Sequence, residues 1–292
     1  MFTLKAPAKI NWSLYVLNKR ADGYHNILSL MHCIGLYDTL AFEQADSIEL
    51  VSDMDIPEEQ NLVLKAAGML RNYAGVKEGA RIALKKDIPS GAGLGGGSSD
   101  AACALTGLNR LWGLGLGNNE LSSIGSRLGS DVPFFFHCPL AVAEGRGEAL
   151  TPLAVDNPYT LLLVKPAVSI STQWAYGKIK ASRGAAEELT KSVNNINNIQ
   201  FIYGALKAGN IFSLKSLIHN DFENAVTEEY PVIGSLKENL LECGAVLSAM
   251  SGSGSVVFGL FEDRGKALSA SGHFSLYFNR VVETLTTVTS QR

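Results

Sequence analysis

Residues 89–102, PSGAGLGGGSSDAA, constrain the fold more than any other stretch: five of the seven positions 91–97 are glycine, and two serines follow. Glycine costs roughly 0.5–1 kcal/mol relative to alanine inside a helix or strand, so this run reads as a loop between elements. A backbone without Cβ atoms lets N–H groups close on an anion. The helix expected after it adds unpaired N–H donors and the positive end of its dipole. The segment therefore reads as a phosphate cradle made by Pro89, Gly91, Gly93, Leu94, Gly95, Gly96, Gly97, Ser98 and Ser99, with the two hydroxyls also suited to help hold Mg²⁺.

Other readings compete with the cradle. A ligand-free flexible turn leaves the serines unexplained. Gly91, Gly93 and Gly96 match the dinucleotide fingerprint formally, but the loop comes late and follows an alternating, charged strand rather than a buried parallel one. The P-loop pattern fails because Gly97 stands where a lysine is required, so a phosphate-binding lysine must come from elsewhere.

The surrounding chain interleaves strands and helices. Period-two alternation predicts strands at 11–17, 39–43, 47–51 and 80–87,. Leu62, Ala66, Met69, Leu70 and Tyr73 share one face of a helix opened by Asn61,. Leu105, Leu108 and Trp112 mark a helix after the glycine loop; Leu121, Ile124 and Leu128 mark another, with Asn118 and Asn119 as its caps,. A second unit is expected from about 156, with strands at 159–168, 245–249 and 255–261 and helices near 196–207, 212–225 and 231–242. The expected division is thus 1–155 and 156–292, and two closely packed units can enclose a cleft.

Composition narrows the function classes. With 46% hydrophobic and 18% charged residues the 292-residue chain suits a packed globule,. A net charge of −3 removes the broad positive field that nucleic-acid or anionic-membrane binding needs, so anionic ligands must meet local cations. Cys33, Cys103, Cys138 and Cys243 are scattered without a CxxC pair and read as reduced, mostly buried thiols. His32, His137, His219 and His273 show no metal-ligand spacing, so no metal ligands are assigned,. The first residues, MFTLKAPAKINW, contain no apolar leader run, and the expectation is a cytoplasmic protein.

Five segments in order, PAKINWSLYVL (7–17), RADGYH (20–25), the glycine loop, GSDVPFFF (129–136) and SGSGSVVFG (251–259), together resemble the GHMP kinase superfamily. The two additional glycines in GLGGGSS and the RADGYH element are similar to the branch whose substrate is a cytidine-diphosphate-linked methylerythritol. Trp12 departs from that pattern, where leucine is more common, and is expected to affect packing more than chemistry. The resemblance implies an α+β protein of two domains: an N-terminal ATP-binding domain of the ribosomal protein S5 domain 2-like type and a C-terminal ferredoxin-like domain, with the active site in the cleft between them. It implies ATP and Mg²⁺ as cofactors; the charge balance gives the expectation of no nucleic-acid or membrane partner, and the chain is expected to be a monomer or homodimer,.

Carried over by position, Lys9 and Asp131 match the catalytic pair, Lys9 as charge stabiliser and Asp131 as general base,. Tyr24, His25 and Tyr176 fall where the cytosine is held, with Trp174 as a rival ring. Asn11 and Thr172 fall at the methylerythritol end, Asn61 and Lys86 at adenosine, and Gly252 and Gly254 where the backbone approaches the phosphates or acceptor. On residue type alone, Asp131 also suits a helix cap before Val132 and Pro133, Lys9 a surface position and the tyrosines core packing. Two further functions remain in view: a GHMP kinase for a simpler alcohol such as mevalonate or homoserine, and a non-catalytic ATP-binding sensor.

Overall fold

Two antiparallel-rich sheets organise the chain, in a computed structural model that describes residues 1–53, 57, 59, 61–137, 139–179 and 185–287, with 185–193 as backbone only. The first sheet is built on two long strands, β1 (Phe2–Lys19) and β2 (His25–Ala45), paired from Phe2 opposite Phe42 to Lys19 opposite His25. It continues through β3 (Ile48–Ser52) and β4 (Gly79–Lys85), while β5 (Leu140–Glu144) and β6 (Ala149–Leu153) pair off β2 as a hairpin. Helices α1 (Leu62–Ala74), α2 (Gly96–Leu111), α3 (Asn118–Gly125) and α4 (Phe134–His137) contribute to a core with this sheet that includes Phe42, Leu70, Leu105 and Phe134.

The chain changes sheet after Leu153. Strands β7 (Thr160–Lys165), β9 (Leu247–Met250), β10 (Val257–Phe261) and β11 (Phe278–Glu283) form the second sheet in the order β11-β7-β10-β9, every pair antiparallel. That order is the split-βαβ, ferredoxin-like one. Around it run α5 (Thr172–Lys178), α6 (Ala185–Lys207), α7 (Glu223–Glu229), α8 (Pro231–Glu242) and α9 (Arg264–Ser271). A second core joins Ile10, Trp12 and Leu30 of the first sheet to Leu161, Leu163 and Phe258 of the second.

A register shift in β1 decides where the site can form. Leu4 and Ala6 face the core under α1 and α2, but pairing with β2 slips between Pro7 and Ala8, after which Ala8, Ile10 and Trp12 face the core shared with the second sheet. At the slip β1 advances one residue while β2 advances three, leaving Gly35 and Leu36 without partners, and such an irregularity bends the pair and re-aims its side chains,. Lys9 and Asn11 consequently lie on the opposite face. Trp12 is fully buried, edge-on to Tyr159 and Phe258 at 5.9 Å each, and it donates its indole N–H to His32 Nδ1 at 2.9 Å; its role is packing, as expected.

Two expectations need correction. No helix spans 212–225; the chain forms a 3₁₀ turn (Ile211–Ser216), the two-residue β8 (His219–Asn220) parallel to β1, and then α7. Short polar side chains compete there with helical hydrogen bonds: Asp221 accepts the Val16 amide at 2.6 Å, and Asn220 accepts that of Phe222 at 3.0 Å. Asn118 and Asn119 do not cap α3. Gly117 does, with Glu120 accepting its amide at 3.0 Å, while Asn118 Nδ2 donates to the Phe136 carbonyl at 3.1 Å. Cys33 and Cys103 are free and buried and Cys243 is partly so; Cys138 lies outside the described residues. Among the described residues no helix is long and apolar enough to cross a membrane.

Candidate active site

The glycine loop is held on one side by its carbonyls. Four successive ones accept hydrogen bonds: Gly91 from the Ser255 amide (3.4 Å), Ala92 from the Val256 amide (3.2 Å), Gly93 from Lys9 Nζ (2.9 Å) and Ser251 Oγ (3.0 Å), and Leu94 from the Lys9 amide (2.9 Å). Within a planar trans peptide the next N–H points opposite to the C=O, so the amides of residues 92–95 are turned away from these partners. Gly93 has φ +74°, and a Cβ there would lie 2.0 Å from the Ser251 carbonyl oxygen. Gly95, at φ +71°, caps α2 without a side-chain hydrogen bond, leaving the first-turn N–H groups of a 16-residue helix for a ligand,.

Lys9 reaches the loop from β1. Buried to 4% exposure, its ammonium donates to Asn11 Oδ1 at 2.7 Å and to Gly93 O, and it stands 3.7 Å from Asp131 Oδ2. Asn11 passes the restraint on, donating to Ser29 Oγ at 2.8 Å, and Ser29 donates to the Ser13 carbonyl at 2.6 Å. Burial pulls the Lys9 pKa below the usual lysine value, and the nearby Asp131 carboxylate opposes that only in part. Asp131 precedes α4 and is one-third exposed.

A cleft of about 1880 Å³ runs past these residues. It is lined by Lys9, Asn11, Tyr24, His25, Asn61, Lys86, Pro89, Gly91, Gly93, Leu94, Gly95, Gly96, Gly97, Ser98, Asp131, Thr172, Tyr176, Gly252 and Gly254, so nearly every residue singled out from the sequence converges on one space. Ser99 is the exception: buried to 1%, it does not line the cleft, and its hydroxyl has no hydrogen-bond partner. At one end the His25 and Tyr176 rings stack at 5.2 Å and 14°, and Arg146 sits 5.0 Å over the exposed Tyr24 ring. Burial, aided by the Asp131 charge, raises the Tyr176 phenol to about 12. Trp174 packs edge-on to Tyr230 at 5.7 Å, outside the cleft lining. Thr172 Oγ1 and Ser253 Oγ meet at 2.9 Å. At the other end Asn61 caps α1, accepting the Val63 amide at 2.9 Å.

Three features escaped sequence reading. Lys86 does not present a free ammonium: it is paired with Asp38 and, at 2.6 Å, with Asp100. Asp100 stands in the quoted SSDAA run and could have been flagged there; Asp38, inside a strand, carried no signal. The third is Asn220, which donates to the Met250 and Gly252 carbonyls at 2.9 and 2.8 Å and so holds the 251–254 turn against the glycine loop.

A buried ammonium beside a carboxylate, next to an amide-lined loop and a helix N-terminus, suits transfer of a phosphoryl group to a hydroxyl. Comparison with known proteins points the same way. The GHMP kinases N terminal domain family matches residues 61–138, and the GHMP kinases C terminal family matches residues 202–278. A 4-diphosphocytidyl-2-C-methyl-D-erythritol kinase of Thermodesulfovibrio yellowstonii is 50% identical over 286 residues, 98% of each chain. A crystal structure of 4-(cytidine 5'-diphospho)-2C-methyl-D-erythritol kinase superposes with TM-score 0.81 at 31% identity, over 97% of this chain and 99% of the other. The homoserine kinase of Cytophaga hutchinsonii, at 18% identity and TM-score 0.76 over 97% and 94%, shares the fold.

Proposed function

The chain belongs to the GHMP kinase family, and from its kinship with 4-diphosphocytidyl-2-C-methyl-D-erythritol kinases we propose that it phosphorylates the 2-hydroxyl of that cytidine-diphosphate alcohol, giving the 2-phosphate and ADP. It is an ATP-dependent small-molecule kinase. The product would feed the non-mevalonate route to isoprenoid precursors, in the cytoplasm.

The observation that carries this reading is the 3.7 Å approach of Lys9 to Asp131 at the edge of the glycine loop. Asp131 orients the accepting hydroxyl and takes its proton onto a carboxylate oxygen, a role worth on the order of 10² to 10⁴ in rate. Lys9, held at its tip by Asn11 and Gly93, stabilises charge on the transferring group; its depressed pKa reflects incomplete compensation that an arriving anion relieves. The N–H side of loop 91–99 and the start of α2 fit a triphosphate, and glycine is needed at 93 and 95 because both have positive φ and a Cβ would press on the Ser251 carbonyl oxygen at 2.0 Å and on Lys9 Cγ at 3.1 Å. Magnesium, when bound, neutralises phosphate charge. It commonly takes one or two protein oxygens beside phosphate and water, and Ser98 offers a hydroxyl in the cleft.

Tyr24, His25 and Tyr176 hold the cytosine, where each stacked base contact is worth roughly 1–3 kcal/mol. Tyr176 rather than Trp174 serves, because only Tyr176 lines the cleft. Asn11 and Thr172 position the methylerythritol, Gly252 and Gly254 give it close backbone approach, and Asn61 and the stem of Lys86 flank the adenosine. Coupled ATP turnover with the cytidine-diphosphate alcohol, mevalonate and homoserine tests the proposal. Turnover with the first alone is expected; turnover with either of the others alone would assign a simpler kinase, and none at all would assign a sensor.

A further inference from the structure

We propose that Asp38, Lys86 and Asp100 form a buried positioning device that holds the two ends of the glycine loop at the spacing its phosphate cradle needs. The proposal rests on the reading of that loop as the site of the ATP phosphates. Lys86 is the first residue after β4, Asp100 lies 14 residues on in the second turn of α2, and the Lys86 ammonium bonds Asp100 directly at 2.6 Å. Asp38, on the central strand β2, closes the triangle: one carboxylate oxygen pairs with Lys86, and the other accepts the amides of Asp87 and Ile88 at 2.7 and 2.8 Å. Both ends are thus tied to one strand. The ammonium also lies beneath the helix start, 3.4 Å from where a Cβ on Gly96 would be.

Lys86 and Asp100 line the cleft, but their charged ends are engaged with each other and with Asp38, which suits positioning more than ligand contact. The Asp38, Lys86 and Asp100 side chains are 0%, 5% and 4% exposed, and charges held so far from water are kept only where partners compensate them. Two carboxylates and one ammonium leave a surplus negative charge. Burial, with the Asp38 carboxylate adding to it and Lys86 opposing, raises Asp100 to about 7, and its Oδ1 has no hydrogen-bond partner. Asp38 does not line the cleft, so any effect of Asp38 on nucleotide binding must travel through the loop.

Calorimetric titration of the full chain with ADP and with tripolyphosphate separates the possibilities. The Asp38→Asn variant, which keeps an acceptor for the two amides, is expected to melt cooperatively and to bind both ligands about tenfold more weakly, because displaced cradle donors lose alignment. Its KM for the alcohol should stay within about twofold, since the acceptor does not use that loop edge. Wild-type affinity for both ligands in a folded Asp38→Asn variant would overturn the proposal. So would a loss confined to ADP, which would make the triad part of an adenosine contact. Should Asp38→Asn fail to fold, Asp100→Asn, which leaves Lys86 and Asp38 as a charge-balanced pair and weakens the direct tie to α2, takes the same assay with the same expectations. Wild-type protein that binds neither ligand would remove the phosphate reading of the loop itself, a failure distinct from that of the triad.

Discussion

Lys9 and Lys86 are both buried lysines beside the same glycine loop, yet their surroundings differ in kind. Lys86 meets two carboxylates; burial pulls its pKa down, but Asp100 and Asp38 together outweigh that, and it ends above the usual value. Lys9 meets a side-chain amide, a backbone carbonyl and one carboxylate at 3.7 Å, and it ends below. A compensated ammonium holds structure together. One that is under-compensated has affinity left for a new anion, and on the function proposed above that difference, not burial, assigns Lys9 to the reaction and Lys86 to the scaffold.

The contrast breaks most sharply on substitution. Lys86→Met leaves two buried carboxylates facing each other and is expected to cost about 3–5 kcal/mol of stability, whereas Lys9→Met should shift stability by about 1 kcal/mol or less while removing most turnover. Chemical denaturation of both variants reads this directly, and equal losses would erase the distinction.

A third buried titratable group sharpens it. His32 is fully buried, accepting from Trp12 at Nδ1 and meeting the Leu285 carbonyl through Nε2 at 3.0 Å. That arrangement needs the neutral ring protonated at Nε2. Burial lowers its pKa from 6.5 to about 4, the Leu285 carbonyl opposing. The unfolded imidazole therefore takes a proton near pH 6.5 and the folded one only near 4, so stability is full above pH 6.5 and declines across that window. The loss is roughly 3 kcal/mol by linkage. Urea midpoints from pH 7 to 4 for wild type and His32→Gln should diverge in slope; parallel profiles would refute the assignment.

Next in size, Asp131→Asn should lower kcat at least about a hundredfold with nucleotide affinity nearly unchanged, as for a positioned base. Near-normal turnover would take Asp131 out of the mechanism. The smallest effect is expected at Tyr24→Ala, where loss of one stacking face should raise the KM for the cytidyl substrate about tenfold and leave that for ATP alone. A parallel rise in both constants would indicate general destabilisation.

Much of this site was legible in the chain. The glycine run, the lysine in PAKIN and the aspartate in GSDVP carry local signatures, and α1 follows from its periodicity and its Asn61 cap, while α8 forms over the expected 231–242 with Pro231 in its first turn. Where reading failed, longer-range pairing had the deciding part. Residues 212–225 have a helical pattern, but Asn220 and Asp221 are drawn to β1 and to the 251–254 turn. The pairing of Lys86 with Asp38 joins positions 48 residues apart, and no local window contains both.

By itself the sequence determined which chemistry the chain can support, because glycine's missing side chain and the charge of lysine and aspartate are properties of single residues and short runs. Tertiary structure decided which lysine is compensated. The slip between Pro7 and Ala8 turns Lys9 toward the loop, and the antiparallel pairing of β2 with β4, together with α2 packed on that sheet, brings Asp38 and Asp100 to Lys86. Electrostatic compensation depends on distance and exclusion of water, and neither exists until the strands have paired.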